Sequence, residues 1–331
     1  MMRMIVPGSG SWTFREAAVP VPGAGQVLVQ VRAAALNRAD LDELAGRYRP
    51  RDRGAGTEAA GSELAGTVAA LGPGTAGAGV GDRVMAMVEA AFAEYAAVDS
   101  RLLLPVPDGL ADADAAALPS ALMTEYDALF LQGGLAPGAT VLITAATSGT
   151  GLLAAALARR AGAAVLGSTT RADRMPYLAE RGVSPVPGRP GALSASVRAA
   201  TGGRGADLVI DHVGGALLDD AVAATRIGGT LVHLGRLGGT RGELDLDRLA
   251  YRRVRLVGST FRTRDDTERA AIAAAVRSRA LDWVADGSVR APIAALVPFG
   301  EAPRALDLLR RPEVPGKVVL SPFPRAGRSS R

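Results

Sequence analysis

Cysteine is absent from the 331-residue chain. Its absence excludes disulfides, cysteine nucleophiles and thiolate–zinc sites. Histidine is scarce too: only His212 and His233 occur, so a three-histidine catalytic zinc site cannot be assembled. No run of about 18 apolar residues exists, so hydropathy gives no spanning helix. The first residues lack the basic segment and apolar core of a signal peptide, and Pro7-Gly8 interrupts them. From these absences we expect a soluble cytoplasmic protein with no membrane partner. Lysine occurs once, at Lys317, so almost every cation is arginine. The isoelectric point of about 10.1 reflects arginine's very high pKa. The net excess is only +5, with 38 basic against 33 acidic residues, and the arginines are scattered. No nucleic-acid partner is expected.

What is present is organised around 141–171, VLITAATSGTGLLAAALARRAGAAVLGSTTR. Val141-Leu142-Ile143 reads as a buried parallel strand. A turn of small residues follows, then a run of good helix formers from Leu152 to Ala161, closed by Gly162 as a C-cap. Ala164-Val165-Leu166 is a second buried strand. Strand, tight turn, helix and strand make the first unit of a dinucleotide-binding fold. Small residues suit the turn because a pyrophosphate must approach the backbone over the helix N-terminus. Ala145, Ser148 and Gly151 take the spacing of the glycine fingerprint, with Gly149 beside them. After the second strand, NAD sites place an acid for the ribose hydroxyls. Here the segment is Gly167-Ser168-Thr169-Thr170-Arg171, with Arg174 one turn on and no acid before Asp173. Hydroxyls and guanidinium groups suit a 2′-phosphate, so NADPH is the expected cofactor.

Upstream, short alternating runs at 26–32, 66–72 and 92–98, with a glycine turn at 80–84, read as a small barrel or sandwich. Pro105-Val106-Pro107 is a stiff connector. Short helices are expected at 111–118 and from Ala121. Downstream of 141, strands at 183–186, 207–210, 230–234 and 254–258 alternate with helices near 171–181 and 215–226. Six parallel strands in all predict a doubly wound sheet. The tail reads as a helix over 265–287, a strand near 295–298, a helix over 301–310 and a strand at 317–320. It is expected to return to the first domain. The expected domains are 1–119, 120–263, and 264–331 completing the first.

Taken together, the motifs resemble the medium-chain dehydrogenase/reductase superfamily, in its zinc-free quinone oxidoreductase (zeta-crystallin-like) and enoyl reductase branch. Asn37-Arg38-Ala39-Asp40 with Gly46-Arg47-Tyr48 resembles the family's N-x-x-D and G-x-Y segment. Residues 61–68, GSELAGTV, look like its G-S-E-x-A-G-x-V signature, and 79–84, GVGDRV, like its G-x-G-D-R-V turn. Asp211-His212-Val213-Gly214-Gly215 resembles its D-x-V-G-G loop. The resemblance covers essentially the whole length. It implies a GroES-like β-barrel catalytic domain beside a Rossmann domain, and a homodimer pairing an edge strand near 252–259. Four departures stand out: Ser148 for a glycine, Glu125 for a frequent alanine, His212 in the nicotinamide loop, and an insert-like stretch at 54–60.

The resemblance implies hydride transfer from NADPH to a quinone or an α,β-unsaturated carbonyl. The alternatives are an enoyl-thioester or polyketide enoyl reductase, and a non-catalytic NADPH-binding protein. A basic mouth at 49–53 would favour a carrier-borne acyl chain. An enone acceptor needs a donor near its carbonyl oxygen and a proton source. Tyr48 aligns with the tyrosine that enoyl reductases use, unless it is a loop tyrosine without chemistry. Asn37 is expected near the ribose–nicotinamide end, or as a turn cap. Asp40 and Glu63 read as structural. Thr124, Val213 and Gly214 are expected at the nicotinamide, and Thr147, Ser148, Gly149 and Thr150 at the pyrophosphate. Ser168, Thr170, Arg171 and Arg174 are expected at the adenosine ribose. Leu234, Gly235 and Phe261 are expected in the same crevice. Lys317 either reaches a phosphate or begins a solvated strand. His212 is a cofactor-loop residue and candidate acid, whereas His233, within a strand, reads as packed.

Overall fold

The computed structural model describes residues 1–46, 59–311 and 315–321. The chain divides into two compact units, Met1–Met123 with Arg262–Arg331, and Thr124–Phe261.

The first unit opens with a hairpin that the sequence pattern did not single out, β1 (Met2–Pro7) antiparallel to β2 (Trp12–Ala17). Only Trp12 is buried along β2, so it shows no alternation to read. Next come β3 (Gln26–Ala35), α1 (Arg38–Leu44), β4 (Glu63–Leu71), β5 (Arg83–Met87), β6 (Tyr95–Asp99), β7 (Leu104–Pro105) and α2 (Asp112–Ala116). The long β3 is central, with β4 and β6 both antiparallel to it. Helix α3 (Pro119–Tyr126) contains the change from one unit to the next.

The second unit alternates β8 (Thr140–Ile143), α4 (Gly149–Arg160), β9 (Ala164–Thr169), α5 (Met175–Ala179), β10 (Ser184–Pro187), α6 (Leu193–Ala200), β11 (Ala206–Asp211), α7 (Leu218–Ala224), β12 (Thr225–His233), α8 (Leu246–Arg252) and β13 (Arg255–Gly258). All six strands are parallel, in the order β10-β9-β8-β11-β12-β13. This is the expected doubly wound sheet. Helices cover both faces, so its inner strands are apolar on both sides: Val141, Leu142, Ile143, Val209 and Ile210 are wholly buried. The chain winds outward from β8 and then returns to β11. Their carboxyl ends therefore form the topological switch point, where open α/β sheets bind ligands. The helix expected over 171–181 is shorter: Pro176 confines α5 to its own first turn, and Gly182 (φ +66°) stops it.

The last segment returns through α9 (Asp266–Ala285), β14 (Ile293–Val297), α10 (Ala302–Arg310) and β15 (Lys317–Leu320). Helix α9 begins with a capping box between Asp265 and Glu268. Strand β15 lies parallel to β14 and antiparallel to β3, with Val319 opposite Ala35. The core beneath this sheet joins Val29, Leu64, Phe92, Phe299, Leu306 and Leu320. Edge-to-face contacts of Trp12 on Phe92 (5.2 Å) and Phe14 on Phe299 (5.5 Å) add to it. No helix among the described residues is long and apolar enough to cross a membrane.

Candidate active site

The turn after β8 starts with Ala145 at φ +49°, a left-handed conformation that a Cβ resists. Ser148 caps α4, its Oγ accepting the Gly151 N–H at 3.0 Å. Gly151 permits a close approach, since a Cβ there would sit 2.7 Å from the Ala145 carbonyl oxygen. Gly149 and Thr150 open the helix, where backbone N–H groups have no intrahelical partner. Thr147, Ser148, Gly149 and Thr150 are half-buried and line this helix start. Small residues, the remaining N–H groups of the helix start and hydroxyls together fit a pyrophosphate.

Strand β9 ends without an acid. Ser168 is only 1% exposed and Thr169 is buried, so of the expected ribose-binding residues only Thr170, Arg171 and Arg174 reach the surface. The Ser168 expectation is thereby corrected: the strand extends through Thr169 and keeps Ser168 buried within it. Arg171 forks onto Asp173, with Nε and Nη2 at 3.1 and 2.6 Å from the two carboxylate oxygens. An incoming phosphate would compete with Asp173 for the same guanidinium.

The loops after β11 and β12 are zipped together. Leu234 and Gly235 both donate to the Asp211 carbonyl, and Gly238 donates to that of Val213. Gly235 has no room for a side chain, since a Cβ would lie 2.2 Å from the His212 carbonyl oxygen. Gly214 needs its positive φ of +60°. The Asp211 carboxylate organises this corner. Its Oδ1 accepts from Thr144 Oγ1 and from the Val213 and Gly214 N–H groups, and Oδ2 faces His233 Nδ1 at 2.8 Å. Burial alone would raise this carboxyl, but the His233 hydrogen bond and the two N–H donors hold it below its ordinary value.

His212 does not face the crevice. Its ring is buried, with Nδ1 on the Thr144 carbonyl (2.9 Å) and Nε2 on Glu125 Oε1 (2.8 Å), so neither nitrogen is open to a cofactor. Two of the sequence departures, Glu125 and His212, are thus the two ends of one hydrogen bond. Because a carbonyl only accepts, Nδ1 carries a proton, and a second proton occupies the Nε2–Oε1 bond. Burial pushes the ring toward neutrality, but the Glu125 carboxylate outweighs it and holds the imidazolium above its ordinary pKa. Glu125 Oε2 is buried without a partner among the described residues. Thr144 joins the two halves of the network, its Oγ1 receiving the His212 N–H at 2.8 Å while donating to Asp211. The sequence reading missed Thr144 and Asp211 as the hub. His233, read as packed, is half-buried, with its Nε2 unengaged among the described residues.

Thr147 to Thr150, Thr170, Val213, Gly214, Leu234, Gly235 and Phe261 thus follow the carboxyl ends of neighbouring parallel strands. Thr124 is half-buried in α3, beside Glu125.

Asn37 and Lys317 lie in the other unit, in a buried cluster. Lys317 Nζ is 2.5 Å from Glu63 Oε1 and 2.6 Å from Asn37 Oδ1. Asn37 Nδ2 donates to Glu63 Oε1 and Ser62 Oγ, and the Ser120 N–H donates to Glu63 Oε2. Lys317 is 5% exposed and Glu63 fully buried, so the ammonium is committed here rather than extended to a phosphate or to solvent. Asn37 is also the N-cap of α1, and Asp40 reaches back to its N–H at 2.6 Å. Burial raises the Asp40 carboxyl to about 7, against the opposing pull of that N–H and of Lys317. Tyr48 and the 49–53 stretch lie outside the described residues, as does 54–58 of the 54–60 segment.

Two family models match the chain: the alcohol dehydrogenase GroES-like domain over 23–108 and the zinc-binding dehydrogenase over 149–277. The chain belongs to the medium-chain dehydrogenase/reductase superfamily, and its relatives agree with the quinone oxidoreductase branch. It is 40% identical over 241 residues to erythronolide synthase EryA2 of Saccharopolyspora erythraea, covering 70% of this chain but 6% of that protein. It is 37% identical over 227 residues to prostaglandin reductase-3 of Bos taurus, covering 68% of this chain and 59% of that one. It therefore spans only part of these relatives' length. A mycobacterial quinone oxidoreductase superposes with a TM-score of 0.84 at 28% identity, over 97% of this chain and all of that one. A mycobacterial protein complexed with NADPH superposes equally well (TM-score 0.84, 27% identity, the same coverage). Among the described residues no group of three or more His, Asp or Glu side chains is placed to hold a metal ion. The chain has no thiolate, and His212 and the Nδ1 of His233 are held by carboxylates and a carbonyl.

Proposed function

We propose that the chain is a metal-independent, NADPH-dependent reductase of α,β-unsaturated carbonyl compounds or quinones, acting in the cytoplasm. The observation that carries the reading is the helix-start cradle at Ser148–Gly151, joined to a β9 end that offers Thr170, Arg171 and Arg174 in place of an acid. When bound, the nicotinamide supplies hydride. The chain's own residues hold it. The α4 N-terminus takes the pyrophosphate, Arg171 and Arg174 the 2′-phosphate, and the zipped Val213–Gly214 and Leu234–Gly235 loops, with Phe261 and Thr124, the nicotinamide end. Tyr48 is proposed as the donor to the substrate's carbonyl oxygen.

The likeness to a polyketide synthase segment supports a second reading, an enoyl-thioester substrate. A homodimer through β13 is also proposed. This strand is the sheet edge, and it exposes Leu256 (40%) near Tyr251 (75%). The test is NADPH oxidation against a quinone, an enone and an enoyl thioester, with NADH as control. Turnover with NADPH preferred, and loss of that preference in Arg171→Ala/Arg174→Ala, is expected. An unchanged NADPH-to-NADH ratio in the double variant would sink the 2′-phosphate assignment. Leu256→Lys should convert the dimer to monomer in light scattering.

A further inference from the structure

We propose that His233, oriented by Asp211, is the proton donor of the crevice, and that it protonates the α-carbon of an enone during reduction. The inference rests on the enone reading above and names a residue which that reading does not use. Four observations carry it. His233 is the last residue of β12, at the carboxyl end of the parallel sheet where ligands of such folds bind. Its Nδ1 is 2.8 Å from Asp211 Oδ2, and four further hydrogen bonds to Asp211 fix that carboxylate in place. Its Nε2 has no partner among the described residues, and the side chain is 27% exposed. The ring lies beside Gly214 of the expected nicotinamide loop, where a Cβ would be 2.7 Å from His233 Cε1 and 3.5 Å from Nε2. Gly214 thus leaves space for the imidazole, and Nε2 is the nitrogen left for a ligand.

A carboxylate on Nδ1 fixes the tautomer and orients the ring, so that Nε2 is the nitrogen presented for proton exchange with a ligand. The balance is simple. With a reduced nicotinamide bound, the substrate's β-carbon would receive hydride with its electron pair, and the displaced π pair would leave an enolate on the substrate. The enolate α-carbon forms a C–H bond with the His233 Nε2 proton, and the N–H bond breaks. His233 becomes the neutral Nδ1–H tautomer, still bonded to Asp211, and is reprotonated from water. The buried His212–Glu125 pair stands behind Thr144 and does not face the ligand, so it is a positioning element.

The first test needs no turnover. The chain has two histidines, so a ring ¹⁵N–¹H spectrum holds four ring nitrogens. Nδ1 of His233 is expected to be protonated in the free protein, with the tautomer mixture shifting in Asp211→Asn. A bare Nδ1 in the wild type overturns the proposal. The second test is His233→Gln. NADPH affinity by fluorescence titration is expected to stay within about 2-fold, while kcat for enone reduction falls about 100-fold, the lower end for loss of a general acid. An unchanged kcat overturns the proton role and leaves the enone reading standing. A kcat loss matched by an equal loss of NADPH affinity marks a structural role and also overturns it. A wild-type enzyme that reduces no enone overturns the reading itself, and the proton role with it.

Discussion

Asp40→Asn isolates one buried carboxyl whose ionisation opposes folding. Asp40 is 3% exposed, and its carboxyl sits at about 7 in the folded chain against 3.8 in its ordinary setting. Burial is the main cause, with Glu43 and Glu63 adding to it. Below about pH 4 the group is protonated whether the chain is folded or not, and its contribution to stability is intact. As pH rises from about 4 to about 7 the unfolded chain ionises first. The folded state then loses roughly 1.4 kcal/mol per pH unit, and the loss levels off above the folded pKa. Over the interval of about three units the total is ~4 kcal/mol. Asparagine keeps an oxygen for the Asn37 N–H and cannot ionise. The stability of the wild type minus that of the variant should therefore fall by up to that amount between pH 4 and 7. Urea denaturation in parallel across pH 4.5–8 measures the difference, in which all other carboxyls cancel. A difference constant to within about 0.5 kcal/mol would show that Asp40 titrates normally, and would refute the argument.

Lys317→Met strands Glu63 without its cation and should cost roughly 3–5 kcal/mol, as expected for half of a buried pair. The Glu63→Gln/Lys317→Met double variant should lose markedly less than the sum of the singles in the same denaturation assay. Ala145→Gly removes the Cβ from a left-handed residue and should raise stability by roughly 0.5–1 kcal/mol after the entropy cost of glycine, read as a higher urea midpoint.

The parallel sheet was legible because its inner strands are short, apolar on both sides and bounded by glycine-containing turns. Val141–Ile143 and the 317–320 strand could be read directly. The β1–β2 hairpin was not, because β2 buries only Trp12 and β1 buries Met2, Met4 and Ile5 without keeping up a strict alternation. Spacing also placed the α4 cradle, since its parts are contiguous in sequence. The histidine network could not be placed in the same way. Glu125, Thr144, Asp211 and His233 come from separate segments, and only the sheet order brings β8, β11 and β12 side by side. Two of its members were visible as oddities, Glu125 and His212, yet nothing in one dimension says that two odd residues 87 positions apart touch. The same limit hid the role of Lys317. A lone lysine at a strand start reads equally as a phosphate contact or as a solvated residue until β15 is seen lying on β3.

That placement of β15 sets an order of assembly. The second unit is one contiguous stretch and contains every strand of its sheet, so it can close as soon as Phe261 has been synthesised. The first unit cannot. Glu63 is made 254 residues before its cation, an interval on the order of 10–50 s at about 5–20 residues per second. Throughout that time β3 lacks its β15 neighbour, and the Glu63 carboxylate has to remain hydrated. The sheet that begins the chain is thus among the last parts to be completed, and a single strand late in the sequence fastens it.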